Sequence, residues 1–160
     1  MGNSPDKHWQ TKFFLRSDIP GIKVKEVDWA SASDPTPRLD YNCVGFAVGV
    51  LKWWERLDIR EGRLLNPYAY WPPGIPNDLK IETYVAAVGT AGFKECSKAE
   101  WDTAATRRIV LYHNSGEFTH ASLYVTASVW KSKFGEYSDI EHHPDATGDY
   151  YGPGRVYLKM

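Results

Sequence analysis

The chain has 160 residues, a formal net charge of −1 and a pI near 6.5. Its length fits one domain with a real core. A balance of 19 basic against 20 acidic side chains excludes a broad electrostatic attraction to nucleic acid or to acidic membranes. Two cysteines are too few for a disulfide framework, and although Cys43 and Cys96 could pair, nothing in their spacing demands it.

No N-terminal apolar run resembles a signal peptide, and no stretch is long enough to span a bilayer. Asp6 stands where the myristoylation pattern needs Ser or Thr. The expectation is a protein that is cytoplasmic as synthesised; a non-classical secretion route would leave no readable trace.

Residues 1–40 read as an extended, polar N-terminal segment, 41–92 as a helical part and 105–160 as a β-sheet part of a single domain. Ile22-Lys23-Val24-Lys25-Glu26-Val27 alternates and predicts a short edge strand. Ser31 to Pro37 is loop. A helix is predicted from Cys43 to Arg56, with Val44, Ala47, Val48, Leu51 and Trp54 on its apolar face and Asp40 or Asn42 as cap. Gly45 and Gly49 are poor helix formers, which predicts close backbone packing at both.

Residues 62–76 read as a long loop, with an aromatic run at Tyr68-Ala69-Tyr70-Trp71 that lines a groove or pins the loop. A second helix is predicted from after Asn77 to about Val88, ended by Gly89 or Gly92. Four strands follow: Arg107 to His113, Thr119 to Thr126, Val129 to Lys133 and Arg155 to Lys159, the first two joined by an Asn114-Ser115-Gly116 turn. Helices first and strands afterwards give an α+β fold class.

Two positions carry candidate chemistry. Cys43 starts the predicted helix in Tyr41-Asn42-Cys43-Val44-Gly45-Phe46, and His120 heads a strand in Thr119-His120-Ala121-Ser122-Leu123-Tyr124-Val125. A helix start and a nearby imidazole are two ways to lower a thiol pKa and make a nucleophile. The competing reading is a small core cysteine and a satisfied structural histidine. The His142-His143-Pro144-Asp145 cluster, with His113, lacks a second closely spaced ligand pair, so no metal is expected. No nucleotide fingerprint is present, and no cofactor is expected.

Asn42-Cys43-Val44-Gly45-Phe46 resembles the Asp-Cys-Ser-Gly-Phe nucleophile motif of NlpC-type, papain-like cysteine peptidases. His120-Ala121-Ser122-Leu123-Tyr124-Val125 is similar to that family's His-Val-Gly-Ile-Tyr-Leu strand. Trp130-Lys131-Ser132-Lys133-Phe134-Gly135, Asp139-Ile140-Glu141-His142 and Tyr151-Gly152 also resemble an uncharacterised bacterial subgroup.

The resemblance implies a cysteine helix packed on an antiparallel sheet and a cysteine hydrolase or acyl transferase acting on an amide bond. A peptide or peptidoglycan stem is the implied substrate class. Cys43 would attack and His120 would act as base and then acid, with backbone amides at the helix start stabilising the oxyanion. Ser132 falls about twelve positions after the histidine, where the family has His, Asn or Gln. Glu141 and His142 compete with it as orienter, and Tyr41 and Asn42 are candidates for the substrate or oxyanion side. Lys131 and Lys133 flank Ser132 and would favour an anionic substrate group or lie solvated at a strand edge. A secreted effector would also have an immunity or inhibitor protein as partner. The alternative is an inactive papain-like module that binds a peptide or glycan through aromatic loops, with Cys43 buried.

Overall fold

A computed structural model describes residues 24–27, 41–133, 139–142, 144 and 151–160. The rest of the N-terminal segment, including Asp40 and the Ser31–Pro37 loop, lies outside the described residues, as do His143, Asp145 and the side chain of Glu141.

The predicted first helix is much shorter than its apolar spacing suggests: α1 is Cys43–Val48. Gly49 ends it with φ +77°, a left-handed conformation open to glycine, and its N–H returns to the Gly45 carbonyl. The chain then folds straight back, so that a β-carbon at Gly45 would collide with the Lys52 carbonyl. Leu51 is exposed rather than facing the core, and Trp54 belongs to the short strand β2, Trp53–Trp54. Tertiary ties set this boundary. Asn42 Oδ1 accepts N–H bonds from both Gly45 and Trp54, and its Nδ2 donates to the Trp54 carbonyl at 2.7 Å.

The expected 62–76 loop holds two strand fragments, each paired with one before it: β3, Ile59–Arg60, pairs with β4, Arg63–Leu64, across a Glu61-Gly62 turn, and β2 pairs in parallel with β5, Ala69–Tyr70. The aromatic run is largely pinned. Trp71 packs edge-on against Tyr84 and donates to the Pro76 carbonyl, and Tyr70 packs against Trp54, while Tyr68 stays exposed.

Helix α2 is Ile81–Gly89, starting later than expected because the preceding residues pair elsewhere. Phe118 N–H bonds to the Leu79 carbonyl and Ile81 N–H to the Gly116 carbonyl. Three further elements were not read from the sequence: β6, Lys94–Cys96, α3, Lys98–Thr103, and the later strand Asp139–His142. Ser97 and Glu100 form a reciprocal capping box on α3, a signal the sequence did contain.

The predicted strands all form. β7 is Arg108–Asn114, β8 Glu117–Thr126, β9 Val129–Lys133 and β11 Gly154–Lys159; β10, Asp139–His142, and β1, Val24–Val27, extend the sheet. Among the described residues they make one antiparallel sheet in the order β1-β10-β9-β8-β7-β11-β6, with β1 at its edge as expected. The β7–β8 turn at Ser115-Gly116 has positive φ at both residues, the two-residue geometry that suits hairpin twist. The class is α+β.

Strand alternation divides the core in two. Ile109, Leu111, Ala121 and Leu158 face α1 and α2 and pack with Val44, Ala47, Val48, Tyr84 and Val88. Val110, Tyr112 and Trp130 face the other way, packing with Trp101 of α3 and with Tyr124, Tyr151 and Tyr157. Each fully buried aliphatic side chain contributes about 1.5–3 kcal/mol relative to exposure.

Candidate functional site

Cys43 is the first residue of α1, half-buried, on the helix side of the sheet. Burial pushes its thiol up to about 11. The Ala121 amide, the Lys133 ammonium and the amides of Val44 and Cys43 itself pull the other way, and desolvation wins. Cys43 and Cys96 are both free thiols, so they do not form a disulfide with one another.

The two residues before Cys43 are occupied in holding the fold. Asn42 needs an acceptor for Gly45 and Trp54 and a donor for the Trp54 carbonyl, a pair of roles that a carboxylate cannot fill. That accounts for Asn where the resembling motif has Asp. Tyr41 is buried, stacks on Phe46 at 6.4 Å and lies under the Lys133 ammonium, 4.9 Å from the ring centroid. Lys133 is not a solvated strand-edge charge. It is fully buried, with its ammonium also 5.6 Å from the Trp53 ring.

His120 lies on the opposite face. It sits across from Tyr112 in the β7–β8 register, with the two rings 5.5 Å apart, and stacks on Tyr151 at 4.0 Å. The cause is a bulge. His113 pairs with Phe118 while Tyr112 pairs with His120, leaving Thr119 as an extra residue on β8. Phe118 stacks on Tyr84 on the helix side; without the extra residue, His120 would share that face. Instead its imidazole is held well below the usual histidine value, first by burial and then by the charges of His142 and Arg155.

Ser132 does not reach His120 as the expected orienter. Its hydroxyl is 2.7 Å from His142 Nε2 and 2.6 Å from Ser122 Oγ, and all three side chains are fully buried. Of the residues singled out from sequence, the structure therefore brings together Ser132 with His142, His142 with His120, and Cys43 with Lys133. It does not bring together Cys43 with His120.

One neighbour of Cys43, and the cavity next to it, escaped the sequence reading. Tyr84 is buried on α2, and its hydroxyl is raised first by burial, then by the charges of Cys43 and Glu55. Beyond it lies a cavity of about 200 Å³ lined by Glu55, Arg56, Asp58, Leu65, Asn66 and Ala69. Glu55 fell inside the expected helix and Asn66 inside the expected loop, so no periodicity linked them. Among the described residues, no group of three or more His, Cys, Asp or Glu side chains is arranged to hold a metal ion. Among the same residues, no helix is long and apolar enough to cross a membrane.

With an α+β sheet-and-helix architecture in place, comparison with known families adds one assignment. Residues 31–159 match the family described as a domain of unknown function, DUF7689, and the chain belongs to that family. No curated protein and no solved structure matches the chain.

Proposed function

We propose that this domain is a papain-like recognition module for a peptide or peptidoglycan-stem ligand, and that it does not cleave its ligand. The observation that carries the reading is the separation of Cys43 and His120 by the sheet. Each is also held in its uncharged form, the thiol by a value near 11 and the imidazole by a lowered one. A thiolate–imidazolium pair needs the reverse of both shifts. The cavity beyond Tyr84, with exposed Leu65 and polar Glu55, Arg56 and Asn66, offers the mixed surface that a short peptide segment requires.

A second reading, a cysteine hydrolase or acyl transferase on an amide bond, draws on a different observation. The half-buried thiol has the Ala121 amide and the buried Lys133 ammonium beside it, both favouring thiolate. In that case Lys133, rather than His120, would be the charge partner. Iodoacetamide labelling of Cys43 against pH separates the two. The recognition reading predicts slow labelling at neutral pH that is unchanged in His120→Ala, and rapid labelling near neutrality would overturn it.

A further inference from the structure

We propose that the cavity beside β2 and β5 binds a primary ammonium group on a short aliphatic stem, with Glu55 as its counter-charge. The proposal rests on the recognition reading and names the chemistry of the ligand. The cavity has about 200 Å³ and is lined by Glu55, Arg56, Asp58, Leu65, Asn66 and Ala69. That is room for an amine and a few methylenes, several times the roughly 30 Å³ share of one water.

Glu55 is fixed before any ligand arrives. Its Oε2 accepts from Trp53 Nε1 at 3.2 Å and from Asn66 Nδ2 at 3.1 Å. Its backbone N–H bonds to the Tyr70 carbonyl across the β2–β5 pair. Asn66 is itself held, accepting the Tyr68 N–H at 2.9 Å. Both donors to the carboxylate are neutral, so they orient it without cancelling its charge, and among the described residues no hydrogen bond engages Oε1.

Arg56 lines the cavity together with the carboxylates of Glu55 and Asp58, so the preference for a cation rests on the oriented Glu55 carboxylate. Asp58 adds a second carboxylate, partly offset by Arg60 at 3.6 Å. Among the described residues, no ion pair joins Arg56 to Glu55 or Asp58. Leu65 and Ala69 give the wall against which methylenes would lie, as lysine stems do on apolar surface.

The test uses the whole chain and two matched probes, Nα-acetyl-lysinamide and Nα-acetyl-norleucinamide, which keeps the four-carbon stem and lacks the ammonium. The readout is the NMR shift of the Trp53 indole N–H, assigned by its loss in Trp53→Phe. Acetyl-lysinamide should displace that signal saturably and acetyl-norleucinamide should not. Glu55→Gln keeps an oxygen acceptor for Trp53 and Asn66 and should weaken the lysine probe about tenfold.

Equal response to the two probes, no response to either, or full affinity in Glu55→Gln would each overturn the proposal. The probe comparison is made on the unmodified protein, so it does not depend on a variant folding. Failure of the underlying reading has a separate signature: release of ammonia from the probe amide, lost in Cys43→Ala, would reveal hydrolysis while leaving the ammonium site intact.

Discussion

The two faces of the sheet hold the two halves of a would-be dyad and treat them differently. On the helix face, Cys43 is half-buried beside Lys133 and Tyr84, and a cavity lies beyond. On the aromatic face, His120, Ser122, Ser132 and His142 are sealed among rings and hydroxyls. One inserted residue in β8 decides which face the histidine joins. Residue type and chain order suggest chemistry, but strand parity decides whether the groups can meet.

The largest expected effect breaks the aromatic face alone. Trp101 is almost fully buried, packs edge-on against Tyr124, Trp130 and Tyr157, and donates to the Ile109 carbonyl at 3.0 Å. Trp101→Ala should cost about 3–5 kcal/mol in urea unfolding. The Cys43 labelling profile of the folded fraction should stay unchanged.

Next in size is Asn42→Asp, which sharpens the helix face. It sets a carboxylate oxygen against the Trp54 carbonyl in place of a donor, and should cost about 1–3 kcal/mol by the same measurement. An unchanged midpoint would mean that the Asn42–Trp54 tie does not set the end of α1.

The histidine face should also show itself in pH. His120 has a folded value below its unfolded one near 6.5, so the unfolded chain binds the extra proton. Its contribution is complete above about pH 6.5 and is lost as pH falls, with a slope of at most about 1.4 kcal/mol per unit. Unfolding midpoints from pH 8 to 5 should fall in the parent and fall less steeply in His120→Phe. The smallest effect is on the thiol: Lys133→Met removes a buried ammonium and should move the Cys43 titration further upward.

Much of the scaffold was legible in the sequence. The strands of Arg108–Asn114, Glu117–Thr126, Val129–Lys133 and Gly154–Lys159 follow from β-rich runs and the Asn114-Ser115-Gly116 turn. The end of α1 was not, because helical spacing through Leu51 and Trp54 is overridden by the Gly49 cap and the Asn42–Trp54 bonds. The site was legible only as a set of residue types. Cys43 does head a helix and His120 does lie on the central strand β8, yet the bulge at Thr119 has no signature in a period-two pattern. Lys133 looked like a surface charge because burial against the Tyr41 and Trp53 rings depends on how distant segments pack.

The most direct test of the account is the rate of iodoacetamide labelling at Cys43 as a function of pH, in the parent and in His120→Ala. The account predicts a titration near 11 in both proteins, with labelling at neutral pH about two orders of magnitude slower than for a free cysteine. A thiolate titrating well below the ordinary thiol value, and lost in His120→Ala, would contradict it and restore the Cys43–His120 dyad.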